Sequence, residues 1–202
     1  IQKAKIENTN VLLMDGVLQS ADPPPDWGYW KHMVPENFKG QEVLLLGIGA
    51  GTIPRLLLKT YPHLKITGVD NNSLITTTAS QEFGLDEIKM DVEFEDGFEY
   101  IKKTKKKFDL IIVDMWNGYW FPFKSLSKEF IEDLKKALKE PSIKYIVIDS
   151  FSKYIDLLLM QCKAIGGKGY DVWNLYNSSI FEFIELIKRS DGKFILVTAL
   201  DE

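Results

Sequence analysis

From Gln41 onward, short apolar runs alternate with stretches whose apolar residues recur every three to four positions. The runs at 43–46, 65–70, 92–94, 110–114 and 143–148 predict strands. The stretches at 53–60, 73–83, 98–103, 128–138 and 153–164 predict helices. Two runs, Leu-Ile-Ile-Val-Asp at 110–114 and Ile-Lys-Tyr-Ile-Val-Ile at 143–148, lack the alternation of a half-exposed strand and suit strands covered on both faces. The pattern predicts final strands at 170–175 and 194–198, while the apolar positions of 180–187 fit either period. Ahead of this series, residues 1–7 alternate and 11–14 form an apolar run ending at Asp15-Gly16, so a β-hairpin is expected. The prolines at 23–25 lack backbone donors and have fixed φ, which makes that stretch a spacer. The expected organisation is a β-hairpin with its Pro-rich loop over 1–26, followed by a β/α domain over 27–202.

Strict β/α alternation implies a doubly wound, mostly parallel sheet with right-handed crossovers. Ligands in such sheets lie beyond the carboxyl ends of the strands, and the polar residues of interest fall at those ends. Gly47-Ile48-Gly49-Ala50-Gly51 follows the first buried strand and opens a helix. The dinucleotide fingerprint requires glycine where Thr52 stands, and no Gly-Lys-Ser/Thr of a phosphate loop is present. Gly-x-Gly-x-Gly is the loop form of S-adenosylmethionine enzymes, so the expectation is a Rossmann-like class I S-adenosylmethionine methyltransferase fold. Asp70 ends the next strand, 19 positions after Gly51. It is placed either to accept the ribose hydroxyls or to cap the following helix. Asp96-Gly97 ends the third strand, with Asp96 either holding an adenine amino group or capping the helix at Phe98. Asp114 ends the fourth, where the sulfonium of such a ligand would lie.

Composition narrows the setting. The 202 residues, 45% hydrophobic and 27% charged, carry a net charge of −4. That acidic balance disfavours nucleic acid as a partner and is compatible with a small cationic one. One cysteine, Cys162, allows no internal disulfide, so a reducing, cytoplasmic setting is expected. No apolar run suggests a membrane span. His32 and His63 with Cys162 give no metal-ligand spacing, so no metal is expected. The basic run at 102–107 follows a helix, where cations suit the C-terminal end of the dipole, and is read as a solvated face.

Phe-Asp-Leu-Ile-Ile-Val-Asp at 108–114, followed by Ser-Leu-Ser-Lys-Glu-Phe at 125–130, resembles the spermidine synthase (polyamine aminopropyltransferase) family. Leu-Met-Asp-Gly-Val-Leu-Gln-Ser at 13–20, followed by Tyr29, is similar to that family's Leu-Asp-Gly-Val-x-Gln segment. The resemblance runs from about Val11 to Ser150. It implies transfer of an aminopropyl group from decarboxylated S-adenosylmethionine to an amine, with Asp114 as the catalytic carboxylate. A carboxylate there either takes a proton from the ammonium or holds the cation. Gln19 and Tyr29 are expected to close over the site. The family's Gly-Gly-Gly-Asp-Gly loop is here Gly-Ile-Gly-Ala-Gly, and its second catalytic-loop Asp is Asn117. Losing that carboxylate favours a less charged acceptor, or methyl transfer from full S-adenosylmethionine. A catalytically silent paralogue that binds a nucleoside or a protein partner is the third reading. Trp116 and Tyr119, beside Asn117, either wall the acceptor pocket or pack in the core or a homodimer interface.

Overall fold

The computed structural model describes residues 1–115, 122–138, 145–148, 151–165, 169–188 and 194–196. The N-terminal piece is an antiparallel sheet of three strands, β1 (Gln2–Ile6), β2 (Thr9–Met14) and β3 (Val17–Asp22), in that order. The expected hairpin is therefore extended by a third strand. After the prolines, a 3₁₀ turn at Tyr29–Met33 buries Trp30 and Met33.

The remainder is a six-stranded parallel sheet. Its strands are β4 (Glu42–Leu46), β5 (Lys65–Val69), β6 (Met90–Glu93), β7 (Leu110–Val113), β8 (Tyr145–Ile148) and β9 (Phe194–Leu196). Their order across the sheet is β6-β5-β4-β7-β8-β9. The helices are α1 (Thr52–Thr60), α2 (Ser73–Phe83), α3 (Gly97–Lys103), α4 (Lys128–Ala137), α5 (Phe151–Ala164) and α6 (Tyr170–Lys188). Strand order reverses between β4 and β7, which makes the gap beyond their carboxyl ends the switch point.

Alternate residues of the central strands feed opposite layers. Leu44, Leu46, Ile111 and Val113 pack with α4 residues Phe130, Ile131 and Leu134. Val43, Leu45, Leu110 and Ile112 pack with Ile53 and Leu57 of α1 and with Trp30, Met33 and Phe38. A third cluster joins Leu12 and Met14 of β2 to Ile48 and Ala50 of the glycine loop and Ile75, Ala79 and Phe83 of α2. This cluster seats the N-terminal sheet against the loop. Fully burying one such side chain contributes roughly 1.5–3 kcal/mol. Cys162 lies 2% exposed in the first cluster.

One expected strand is corrected. Residues 170–175 are not a strand but the first turns of α6, which also takes in 180–187. Val172 is buried in the first cluster, and Tyr176 and Ile180 pack against it. Their spacing of four lays one helical stripe on the core. No helix among the described residues is long and apolar enough to cross a membrane.

Candidate active site

The sheet ladder runs one residue past each central strand and so fixes the backbone of the candidate residues. The Gly47 N–H donates to the Val69 carbonyl at 2.8 Å, the Asp70 N–H to Glu93 at 3.1 Å, and the Asp114 N–H to Leu46 at 2.8 Å. Asp70 and Asp114 thus leave the sheet at the ends of the two strands that flank β4, on either side of Gly47. The glycine loop fits into the space that remains. Gly47 has φ +90°, and a Cβ there would come within 2.1 Å of the Asp114 carbonyl oxygen. Gly49 has φ +55°, and its Cβ would meet Ser20 Oγ at 2.4 Å. Only glycine allows the loop to pass this closely between β7 and β3.

A cleft opens beyond these strand ends. It is lined by Gln19, Tyr29, Gly47, Gly49, Asp70–Asn72, Ile75, Asp96–Phe98, Asp114, Met115 and Pro122, with Val69 behind them. The structure thus brings together most of the candidate residues named from sequence. Gly51 does not line the cleft; Ile88 and Arg55 occupy the space beside it. Trp116, Asn117 and Tyr119, with Trp120 and Phe121, lie outside the described residues. Sequence reasoning did not single out Asn71, Asn72, Phe98 or Met115. Phe98 and Met115 adjoin motifs that were recognised, whereas nothing in the sequence marks the asparagines beyond their place after Asp70.

The acids differ in their partners. Asp70 accepts N–H bonds from Ile48 at 2.9 Å and Gly49 at 3.3 Å on one oxygen, and from Asn72 at 2.9 Å on the other. It ties the glycine loop to β5. The cap of α2 is Asn72, whose side chain accepts from Ile75 N–H. Asp96 does cap α3, accepting from Phe98 N–H at 2.9 Å and Glu99 N–H at 3.1 Å through Oδ1. Its Oδ2 lies 3.4 Å from the Asn71 amide nitrogen. The third acid is Asp114. Burial pushes its carboxyl up from 3.8 to about 7; a hydrogen bond from Tyr29 opposes that rise and the nearby Asp70 charge adds to it. The Tyr29 hydroxyl reaches both Asp114 oxygens at 3.3 and 3.4 Å, longer than an optimal O–H···O bond.

Cations are missing from this list. Among the described lining residues, three are carboxylates and none is Lys, Arg or His. The undescribed stretch 116–121, Trp-Asn-Gly-Tyr-Trp-Phe, carries no charged residue either. Arg55, the first basic residue after the glycine loop, is engaged elsewhere. It donates to Ala50 O at 2.6 Å and to Phe83 O, and pairs with Asp22 at 3.2 Å. Lys124 sits over the Phe98 ring, 4.9 Å from its centroid, and pairs with Glu99 at 3.7 Å. Among the described residues there is no cluster of three or more His, Cys, Asp or Glu suited to a metal ion.

Comparison with known proteins gives this arrangement a family. The spermine/spermidine synthase domain matches residues 31–153. The polyamine aminopropyltransferase of Hydrogenobaculum sp. (strain Y04AAS1) is 29% identical over 178 residues, covering 84% of this chain and 63% of that protein. The enzyme of the same name from Bacillus subtilis (strain 168) is 28% identical over 144 residues, covering 66% of this chain and 51% of the relative. The chain therefore spans less than two thirds of the length of either. The crystal structure of spermidine synthase from Thermotoga maritima superposes with a TM-score of 0.54 at 21% identity, over 70% of this chain and 54% of that one, and shares the fold. With the domain match covering well over half its length, the chain belongs to the spermine/spermidine synthase family.

Proposed function

We propose that the chain carries out aminopropyl transfer from decarboxylated S-adenosylmethionine to a small amine. The observation that carries this reading is the cleft's charge: Asp70, Asp96 and Asp114 with no basic side chain among its described residues. Full S-adenosylmethionine has a carboxylate, which like-charge repulsion from the three cleft carboxylates disfavours. Its decarboxylated form keeps the ammonium and the sulfonium but lacks the carboxylate, so both positive charges stand without a compensating negative one. A cleft of three carboxylates favours the second molecule by charge-assisted hydrogen bonds. The polyamine aminopropyltransferases among its relatives bear the name of this reaction.

The donor supplies a carbon made electrophilic by the adjoining sulfonium, with a neutral thioether as the leaving group. Asp70 is assigned to the ribose hydroxyls. With Ile48 and Gly49 on one oxygen and Asn72 on the other, that second oxygen keeps a lone pair for a ribose hydroxyl. Asp96, with Oδ1 on the α3 cap, offers Oδ2 to the base amino group, and Gly97 allows the base to approach. Asp114 takes the proton from the acceptor's ammonium, because only the neutral amine attacks. A carboxyl near pH 7 is poised for that transfer. Tyr29 holds Asp114 in place through its hydroxyl, and Gln19 closes the cleft from β3. Trp116, Asn117 and Tyr119 are assigned to the acceptor side.

Calorimetry with the intact chain tests the reading. The decarboxylated donor is expected to bind at least about tenfold more tightly than S-adenosylmethionine, a difference of about 1.4 kcal/mol. Tighter binding of S-adenosylmethionine would favour methyl transfer instead. Asp114→Asn should retain methylthioadenosine binding while turnover is lost. Turnover that survives would overturn the assignment of Asp114.

A further inference from the structure

The pairing of β2 with β3 slips by one residue beside the cleft. Leu12 pairs with Ser20 and Leu13 with Leu18, so Gln19 is left as an extra residue on β3. This is a β-bulge, a device that turns a side chain away from its ladder direction, and Gln19 lines the cleft. The residues after the bulge are tied to the glycine loop. Ser20, 2% exposed, accepts the Ala50 N–H at 2.7 Å through Oγ. Thr52, 1% exposed, accepts the Ala21 N–H at 2.7 Å and donates back to the Ala21 carbonyl at 2.9 Å. Three hydrogen bonds in a buried seam thus join two segments about 30 positions apart.

We propose that Ser20 and Thr52 are positioning residues, which hold the bulge so that Gln19 and the glycine loop grip the donor nucleoside as one rigid unit. The proposal rests on the nucleoside reading of the cleft. Ser20 itself touches the loop amide and acts on the ligand through Gln19. Its hydroxyl also satisfies the Ala50 N–H, which would otherwise be buried without a partner at the end of the loop.

A double-mutant cycle with methylthioadenosine as the probe distinguishes positioning from general stabilisation. Gln19→Ala and Ser20→Ala are each expected to weaken calorimetric binding by about tenfold, and the pair by little more than one of them alone. Ser20→Ala should also lower the melting temperature, which a purely structural role would do as well. The coupling is the decisive readout. Additive losses, or a Ser20→Ala variant that loses stability with unchanged affinity, would overturn the proposal. If Ser20→Ala does not fold, Thr52→Val removes the neighbouring tie at nearly constant shape and is read against Gln19→Ala in the same way. An unmodified chain that binds no nucleoside would overturn the cleft assignment and this proposal with it, whereas good binding with additive losses removes only the positioning role.

Discussion

Asp114 shows how burial sets the chemistry of a single residue. Its carboxyl titrates near 7 in the folded chain, against 3.8 for an exposed carboxyl. Between those values the folded state keeps a proton that the unfolded chain has released. Stability therefore falls as pH rises through that window and is level above it. Asp114→Asn removes the penalty. At pH 8 the variant is expected to gain on the order of 2–4 kcal/mol in denaturant unfolding, at 1.36 kcal/mol per pKa unit. Near pH 4 the two proteins should unfold alike, and a variant less stable at pH 8 would contradict the burial effect. The same ionisation should appear in kcat/KM as a rise through about pH 7, absent from any residual activity of the variant. Most of this was legible in sequence as an acid at the end of a buried strand. The shift itself was not, because it depends first on how completely the fold buries the carboxyl, and then on Tyr29 opposing the rise and Asp70 adding to it from positions far away in the chain.

At the scale of elements, the residue that caps α3 also faces the cleft. Asp96 caps the helix through Oδ1, and its Oδ2 lies beside Asn71 in the cleft. The functions separate by substitution. Asp96→Ala should cost about 1 kcal/mol in thermal unfolding, and Asp96→Asn only a fraction of that, since asparagine also caps. Both should weaken nucleoside binding if the base is held by the carboxylate. Equal affinity of Asp96→Asn and the unmodified chain would leave Asp96 a cap alone. The strands and helices from β4 to α4 follow directly from periodicity, because each buries a continuous face against the sheet. The segment from Tyr170 did not. Tyr170, Val172 and the β-branched and aromatic residues nearby imitate a strand over six positions, and only the spacing of Val172, Tyr176 and Ile180 on the core selects a helix. The third N-terminal strand was hidden for a related reason: the bulge at Gln19 breaks the alternation that would have marked it.

Across the whole molecule the net charge is −4, and three carboxylates meet in the cleft with no basic residue among its described lining. A dicationic donor should therefore bind less tightly as salt rises, more steeply than uncharged methylthioadenosine. Titration of both at low and high ionic strength checks this, and equal salt dependence would argue against the acidic cleft as the source of selectivity. At a hundred times its dissociation constant, the donor should raise unfolding free energy by about 2.7 kcal/mol. The seam between β3 and the glycine loop has a further consequence for how the protein breathes. The amides of Ala21 and Ala50 are both covered by hydroxyls from across that seam. Neither can exchange with solvent deuterium until the N-terminal sheet lifts away from the loop. Both should exchange with one shared opening free energy, below that of global unfolding, and both should slow together when the cleft is filled. Two alanines thus serve as a built-in gauge of how often the cleft comes apart.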